Sequence, residues 1–376
     1  SLPLVRRIVH HAYRQGASLV TSLFGDDVIA LERFAHAPDE SFDRAAGWLY
    51  EGIAKAFANG AARLAIAGDN PLLLAKEMPE KVSRLNRAVS MAYQPALEKI
   101  THFDINWSIV SYPNPDWAKV VFADLSSEEA TKKLAEAVFA ASRVDREDAL
   151  SAWHAHNENL HKRCEWLDKQ NFAALHFKAG DYTNLKIGLA DGHKWQGGAS
   201  VAKNGVTCNA NIPTEEVFTT PHAQRVEGYV RSTKPLCHNG TLIDGIEMLF
   251  EKGRVVKATA QKGQEVLQKL LETDEGAARL GEVALVPHSS PISKSGLLFY
   301  NTLFDENAAC HIALGQCYAK CFEDRSLTEE QMMQRGGNKS FIHVDWMIGS
   351  GELNISGLKQ DGSVVEVFHK GEWAFE

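Results

Sequence analysis

The distribution of apolar residues changes near residue 170, and this change constrains the fold more than any other feature of the chain. From residue 1 to about 120, amphipathic stretches of helical length alternate with short apolar runs such as RLAIA at 63–67. Beyond residue 170, short apolar runs follow one another and are separated by Gly and Asn turns. The first pattern is typical of an open parallel α/β sheet, and the second of antiparallel strands joined by hairpins.

These patterns predict an α/β protein of two domains. We expect an N-terminal open α/β domain with a mostly parallel sheet over 1–120, in which SLVTSLF at 18–24 is strand-like. We expect a C-terminal α+β domain rich in antiparallel strands over 121–376. Residues 126–170 have the pattern of long helices at the junction, and Ser126 followed by Glu129 has the form of a capping box.

Charge and composition exclude several classes of protein. The net charge of -8, with scattered Lys and Arg, argues against nucleic acid or an anionic membrane as a partner. The chain has no apolar run of about 18 residues and no secretory leader. Six cysteines are too few for a disulfide framework, which indicates a reducing cytoplasm. The chain opens at Ser1 without Met and on a helical pattern, so a preceding strand is expected.

The segment FIHVDWMIGS at 341–350 places two polar residues in an apolar run. In a strand, side chains two residues apart point to the same face, so His343 and Asp345 would face one space. Ile342, Val344 and Trp346 would point the other way. Taken alone, a hydrogen-bonded pair in the core is an equally good interpretation.

A second segment, LFDENAACHIALGQCYAKCF at 303–322, has the spacing of a helix. His311 and Tyr318 are seven residues apart, and Gly315 lies between them, so an imidazole and a phenol would share a face with an opening. Three cysteines on the adjacent face would point into the core. They are Cys310, Cys317 and Cys321.

Two further segments place acids next to apolar strands. Glu215 and Glu216 precede Val-Phe, and Glu282 opens the run EVALVP. A buried acid is costly unless it is paired or binds a metal. Carboxylates and imidazoles suit two adjacent divalent ions such as Zn, Co, Mn or Mg. The histidines of WHAHNENLH, at 154, 156 and 161, diverge around a helix, and a solvated helix face is the favoured interpretation.

Together these segments resemble the M29 family of metallo-aminopeptidases. The resemblance is carried by NIPTEEVFTTPH, LGEVALVPHSSPI, NAACHIALGQCY and FIHVDWMIGS, and it extends over most of the chain. It implies an active-site tyrosine at Tyr318 and a homodimer of two-domain subunits, with 121–376 as the metal-binding catalytic domain. It also implies five ligands for a pair of metal ions, which are Glu216, Glu282, His311, His343 and Asp345.

The resemblance implies removal of amino acids from peptides with a free N-terminus by a metal-activated water. Glu282, as a bridging ligand, is the expected proton carrier, with Glu215 as the weaker alternative. Tyr318 is expected to donate to the developing oxyanion. The competing functions are another two-metal hydrolase, such as a phosphoesterase or amidohydrolase, and a non-enzymatic α/β binding protein.

Overall fold

The N-terminal part of the computed structural model, which describes residues 1–238 and 240–375, is a set of helices around a parallel strand pair. Strands β1 and β2 pair in parallel, with Arg63 opposite Trp107, as the sequence predicts. Residues 18–24 form no strand, so that expectation is wrong. The elements are α1 (Leu2–Arg14), α2 (Asp27–His36), α3 (Gly47–Ala58), β1 (Arg63–Ala67), α4 (Pro79–Thr101), β2 (Trp107–Ser111) and α5 (Pro115–Val121).

Two long helices, α6 (Ser127–Ala141) and α7 (Ala149–Gln170), follow as predicted. The capping box at the start of α6 is present, with the Ser126 hydroxyl accepting from the Glu129 backbone and the Glu129 carboxylate accepting from the Ser126 backbone. Trp117 of α5 is fully buried in a cluster with α6 and with residues 292–308, and its indole donates to the Phe299 carbonyl at 2.6 Å. The N-terminal part is therefore joined to the later chain by a shared core.

The C-terminal part is built on two antiparallel sheets, and together with the parallel pair β1-β2 they give the mixed α/β class that the sequence predicts. The larger sheet has the strand order β13-β12-β9-β4-β3-β17-β18-β19. Its strands are β3 (Ala174–Ala179), β4 (Thr183–Leu189), β9 (Pro221–Arg231), β12 (Glu247–Glu251), β13 (Arg254–Thr259), β17 (Asn354–Leu358), β18 (Val364–His369) and β19 (Glu372–Trp373).

The smaller sheet has the order β16-β15-β14-β8-β5. Its strands are β5 (Gln196–Gly197), β8 (Val217–Thr219), β14 (Leu280–Leu285), β15 (His311–Gly315) and β16 (His343–Met347). Two short hairpins and four short helices complete the fold. They are β6 (Ser200–Val201) with β7 (Thr207–Cys208), β10 (Leu236–His238) with β11 (Thr241–Ile243), α8 (Gln264–Leu271), α9 (Pro291–Lys294), α10 (Thr302–Asp305) and α11 (Glu329–Gln334).

The main core contains side chains from both sheets. One face of the smaller sheet contributes to this core, and the other face points away from it. Phe177 and Val226 of the larger sheet belong to the same buried cluster as Val283, Ile312 and Trp346 of the smaller one. Because side chains alternate along a strand, the neighbours of the last three residues project from the opposite face. That opposite face carries the polar residues described next.

Candidate metal centre

Three adjacent strands bring four of the predicted site residues to one face of the smaller sheet. Ala313 of β15 lies opposite Glu282 on one side and opposite Asp345 on the other. His311 lies two residues from Ala313, and His343 two residues from Asp345, so all four polar side chains share a face. The methyl group of Ala313 leaves room between the two carboxylates. The predicted strand orientation of His343 and Asp345 is confirmed.

The predicted helix over 303–322 is wrong. His311–Gly315 is a strand, and Tyr318 lies in the connection after it. Every residue of this strand is buried, and an apolar run buried on both faces has no period that separates strand from helix. Gly315 is not an opening either, since it has φ +103° and an added Cβ would meet the Ile342 carbonyl.

The three cysteines of this segment are buried, as predicted, but they do not share a helix face. Cys310 belongs to the main core, whereas Cys317 and Cys321 lie in two smaller clusters. Their spacing therefore matches a helical period although the three cysteines do not lie on one helix.

Five predicted ligands form two groups that share Glu282. His311 Nε2 lies 2.9 Å from Glu216 Oε2 and 3.7 Å from Glu282 Oε1. His343 Nε2 lies 3.5 Å from Glu282 Oε2 and 3.5 Å from Asp345 Oδ1. One oxygen of Glu282 therefore faces each histidine. Glu216 joins the cluster from the residue immediately before β8.

Backbone carbonyls determine which nitrogen of each imidazole faces the carboxylates. His311 Nδ1 lies 3.1 Å from the Ala309 carbonyl, and His343 Nδ1 lies 2.7 Å from the Gln316 carbonyl. A carbonyl oxygen only accepts, so each Nδ1 carries the proton and donates. In the neutral imidazole this leaves the Nε2 lone pair directed at the cluster, which is the arrangement of a metal-binding histidine.

The charges of the cluster do not balance among the described residues. Glu216, Glu282 and Asp345 are buried, or nearly so, and their ion pairs in the described part of the chain are with the two histidines. Burial opposes the charged imidazole, but Asp345 and Glu282 still raise the pKa of His343 to about 9. Burial and the neighbouring carboxylates raise the pKa of Glu282. Three acids thus face two imidazoles, and added positive charge would stabilise the cluster.

The spacing and chemistry of these atoms fit divalent ions. Two ligand atoms bound tetrahedrally at the usual 2.0–2.2 Å from one ion lie about 3.4 Å apart. The contacts of 2.9–3.7 Å agree with this spacing, and in each group the ligand atoms all lie within 4.8 Å of one another. Asp345 Oδ1 is buried and accepts no hydrogen bond from the described residues, so one lone pair is available. Carboxylate oxygen and imidazole nitrogen suit Zn, Co or Mn.

Tyr318 lies beside the cluster, although the segment that carries it is not the helix that its spacing predicted. Its ring centre is 4.6 Å from that of His343 and 6.2 Å from that of Phe218, which it meets in an edge-to-face arrangement. Burial raises the pKa of the phenol well above its ordinary value, and the nearby carboxylates, Glu282 first, raise it further. The hydroxyl therefore keeps its proton and is a hydrogen-bond donor.

Glu215 is not in the cluster. Both its oxygens accept from the Arg143 guanidinium, one of them at 2.9 Å from Nη2, and its backbone N–H donates to the Asn307 side chain at 2.6 Å. His156 Nε2 lies 3.8 Å from the same carboxylate. The position of Glu215 therefore does not support its interpretation as a proton carrier.

Two of the three histidines of α7 are exposed, and the third lies beside Glu215. His154 and His161 are exposed, as the expected solvated face requires. The side chain of His156 is only 10% exposed, and its Nε2–H donates to the Thr214 carbonyl at 2.7 Å. The sequence reasoning missed both this contact and Arg143, which lies 72 residues from Glu215 in the chain.

A further acid, Glu306, was also missed. It opens a short 3-10 helix, Glu306–Ala308, and is 8% exposed. Burial raises its pKa well above the ordinary value, and the charges of Asp345 and Glu216 act in the same direction. Its carboxylate thus lies within electrostatic range of the cluster without belonging to either ligand group. The argument applied to Glu282, an acid beside an apolar run, would have found it.

Comparison with known proteins agrees with this site. The family model of thermophilic metalloproteases (M29) matches residues 1–373. Aminopeptidase T from Thermus thermophilus is 53% identical over 373 residues, which cover 99% of this chain and 91% of that protein. Aminopeptidase 2 from Geobacillus stearothermophilus is 45% identical over 375 residues, covering 100% and 91%.

A solved structure of wild-type AmpT from Thermus thermophilus superposes with a TM-score of 0.93 at 51% identity, covering 100% of this chain and 91% of that one. The site and fold thus define a metal-dependent peptide hydrolase. The chain belongs to the M29 family of metalloproteases, and the predicted metallo-aminopeptidase is confirmed. The competing phosphoesterase and binding-protein interpretations have no support in these relatives.

Proposed function

We propose that the protein removes N-terminal residues from peptides with two divalent ions held by the two ligand groups. Glu216, Glu282 and His311 would hold one ion, and Glu282, His343 and Asp345 the other. The observation that carries the proposal is Glu282, whose two oxygens face different histidines. Zn, Co, Mn or Mg would suit these ligands.

Bound divalent ions would lower the pKa of a water and polarise the carbonyl of the first peptide bond. Around that chemistry, the protein excludes solvent, because the ligands are largely buried. The Tyr318 hydroxyl would donate to the carbonyl oxygen as negative charge develops there. Glu282 remains the proposed carrier of the proton from water to the leaving amine, since Glu215 is bound by Arg143.

Glu306 supports action at a free N-terminus. Among the described residues, its carboxylate accepts one side-chain hydrogen bond, a long one of 3.4 Å from the Asn307 amide. A substrate α-ammonium would give this buried carboxylate the ion-pair partner that the described residues do not supply. A peptide bond further along a chain has no such charge. We propose that Glu306 holds the α-amine and so restricts cleavage to the first residue.

The direct test uses protein stripped of metal with a chelator and then titrated with Co, Zn, Mn or Mg. Hydrolysis of leucine p-nitroanilide is followed, with the N-acetylated compound as the matched substrate. We expect metal-dependent release of p-nitroaniline from the free amine only. Equal cleavage of both compounds would contradict the role of Glu306, and cleavage without metal would contradict the role of the two ligand groups.

The proposed assembly is a homodimer in the cytoplasm. The N-terminal part exposes large apolar side chains, including Leu19, Ile29 and Trp48, each more than 70% exposed. Association would cover such surface. The six cysteines are free thiols, in keeping with a reducing compartment. None of the helices in residues 1–238 and 240–375 is long and apolar enough to cross a membrane. Sedimentation equilibrium would test the dimer.

A further inference from the structure

A cavity of about 480 Å³ lies on the same face of the smaller sheet as the metal centre. Gln196 of β5 lines it, and Gln196 lies opposite Phe218, which lies opposite Ala284. Ala284 in turn lies opposite His311, and directly opposed residues project to the same face. The sheet face that carries the metal ligands therefore continues into the wall of this cavity. Its volume is typical of small-molecule sites.

The lining is basic. Lys203, Lys320 and Arg325 contribute to it, and no Asp or Glu stands among its described lining residues. Lys203 is neutralised by Asp104, whose Oδ1 is 2.7 Å from its ammonium group. Lys320 and Arg325 form no ion pair with a carboxylate in the described part of the chain. The cavity thus has surplus positive charge, in a protein whose net charge is -8.

Lys320 is held between the cavity and the metal centre. Its ammonium lies 4.6 Å from the ring centre of Phe218, 5.2 Å from that of Phe103 and 5.8 Å from that of Tyr318. Three aromatic rings fix the position of this cation without neutralising it. The Tyr318 ring is 4.6 Å from that of His343, so Lys320 is only two ring contacts from a predicted metal ligand.

We propose that this cavity binds the C-terminal carboxylate of short peptide substrates, with Lys320 as its main counter-charge and Arg325 nearer to solvent. The proposal rests on the function proposed above, in which the peptide amine lies at the metal centre. The distance from the Lys320 ammonium to the Tyr318 ring and that from the Tyr318 ring to the His343 ring add up to about 10 Å. Because each extended residue spans about 3.3–3.6 Å, this length corresponds to two or three residues beyond the cleaved bond. Tripeptides and tetrapeptides would then be the favoured substrates.

The experiment compares two substrates that differ in one charge, Leu-Gly-Gly and its C-terminal amide. With metal-loaded protein, we expect kcat/KM for the free acid to exceed that for the amide about tenfold, as for one charge-assisted hydrogen bond. Lys320→Met should remove most of this preference by lowering kcat/KM for the acid more than for the amide. Lys320→Arg, which keeps the charge, should retain it.

A matched control is Lys186→Met, because Lys186 is an exposed lysine on β4 that does not line the cavity. It should leave the preference for the acid unchanged. A wild-type protein that cleaves acid and amide equally well would overturn the proposal while leaving the aminopeptidase function intact. Equal losses for both substrates in Lys320→Met would also overturn it, since the lysine would then serve packing or chemistry. Failure to cleave either substrate or leucine p-nitroanilide would instead remove the proposed function itself.

Discussion

Two buried carboxylate–imidazole clusters lie on either side of one peptide bond, and they differ in how their charge is balanced. Glu215 contacts Arg143 and His156, so its charge is met by a guanidinium of the same chain. Glu216 contacts His311 and shares that imidazole with Glu282. The first cluster has its counter-charge within the chain, whereas the second has more acidic groups than the described residues neutralise.

The histidines of the two clusters also differ in which ring nitrogen carries the proton. His156 donates from Nε2 to the Thr214 carbonyl, so its Nδ1 accepts from Arg143 at 3.3 Å. His311 and His343 donate from Nδ1 to carbonyls and turn Nε2 toward the carboxylates. A backbone carbonyl thus fixes each ring. In one cluster the free nitrogen meets a protein donor, and in the other it faces acids, where a metal ion fits.

The largest effect expected from this comparison is at Glu282. Glu282→Gln removes the charge shared by the two ligand groups, so the bound metal should fall by two ions per chain, whereas Asp345→Asn should lose only one. Activity should fall more than about 100-fold, since changes to residues that merely orient ligands already cost up to that much. Metal content after dialysis, measured by mass spectrometry, checks the count. Full metal content in Glu282→Gln would show that the charge of Glu282 is not needed by either ligand group.

The next effect is on stability, at Glu215. The side chains of Arg143 and Glu215 are 13% and 5% exposed, so Glu215→Ala leaves a buried guanidinium without its partner. This should lower the free energy of unfolding by about 3–5 kcal/mol. Denaturant unfolding measures the change, and Glu158→Ala, at an exposed position on α7, is the control. Metal content should stay at the wild-type level, and its loss would place Glu215 in the metal centre after all.

Tyr318 tests the metal centre without removing a ligand. Tyr318→Phe keeps the ring against His343 and deletes the hydroxyl, so turnover should fall about 100-fold, the cost of losing one donor to a developing oxyanion. Metal content and stability should be unchanged. Steady-state kinetics on leucine p-nitroanilide gives the result. Wild-type turnover would show that the phenol has no catalytic role.

The sequence predicts those features that depend on local patterns. The capping box of α6 and the orientation of His343 and Asp345 each need only a few neighbouring residues. The helix expected over 303–322 failed because β15 is buried on both faces, which removes the alternation that marks a strand. The strand expected at 18–24 failed because Leu19 and Phe24 are apolar but exposed, without a sheet partner in the described chain.

The choice between Glu215 and Glu216 could not be predicted from the sequence. The two acids are adjacent and have the same local context, and their roles are decided by Arg143 and His311, which lie 72 and 95 residues away. Only the resemblance to a family separated them. The domain boundary near residue 120 stays a prediction, because Trp117 shares a core with residues on the far side of it.

The smallest expected effect is the pH dependence contributed by His156. Burial lowers the pKa of this imidazole in the folded protein, so below the ordinary value of 6.5 the unfolded chain binds the proton more readily. Its contribution to stability is therefore present above pH 6.5 and is lost as the pH falls below it. One proton changes the unfolding free energy by at most about 1.4 kcal/mol per pH unit.

In metal-free protein, His156→Gln should therefore lose less stability than the wild type between pH 7.5 and 5.5. Denaturant unfolding at the two pH values measures the difference, with exposed His154→Gln as the control. An unchanged pH slope would show that the Arg143 cluster does not exclude a second positive charge, and the contrast with the metal centre would then rest on geometry alone.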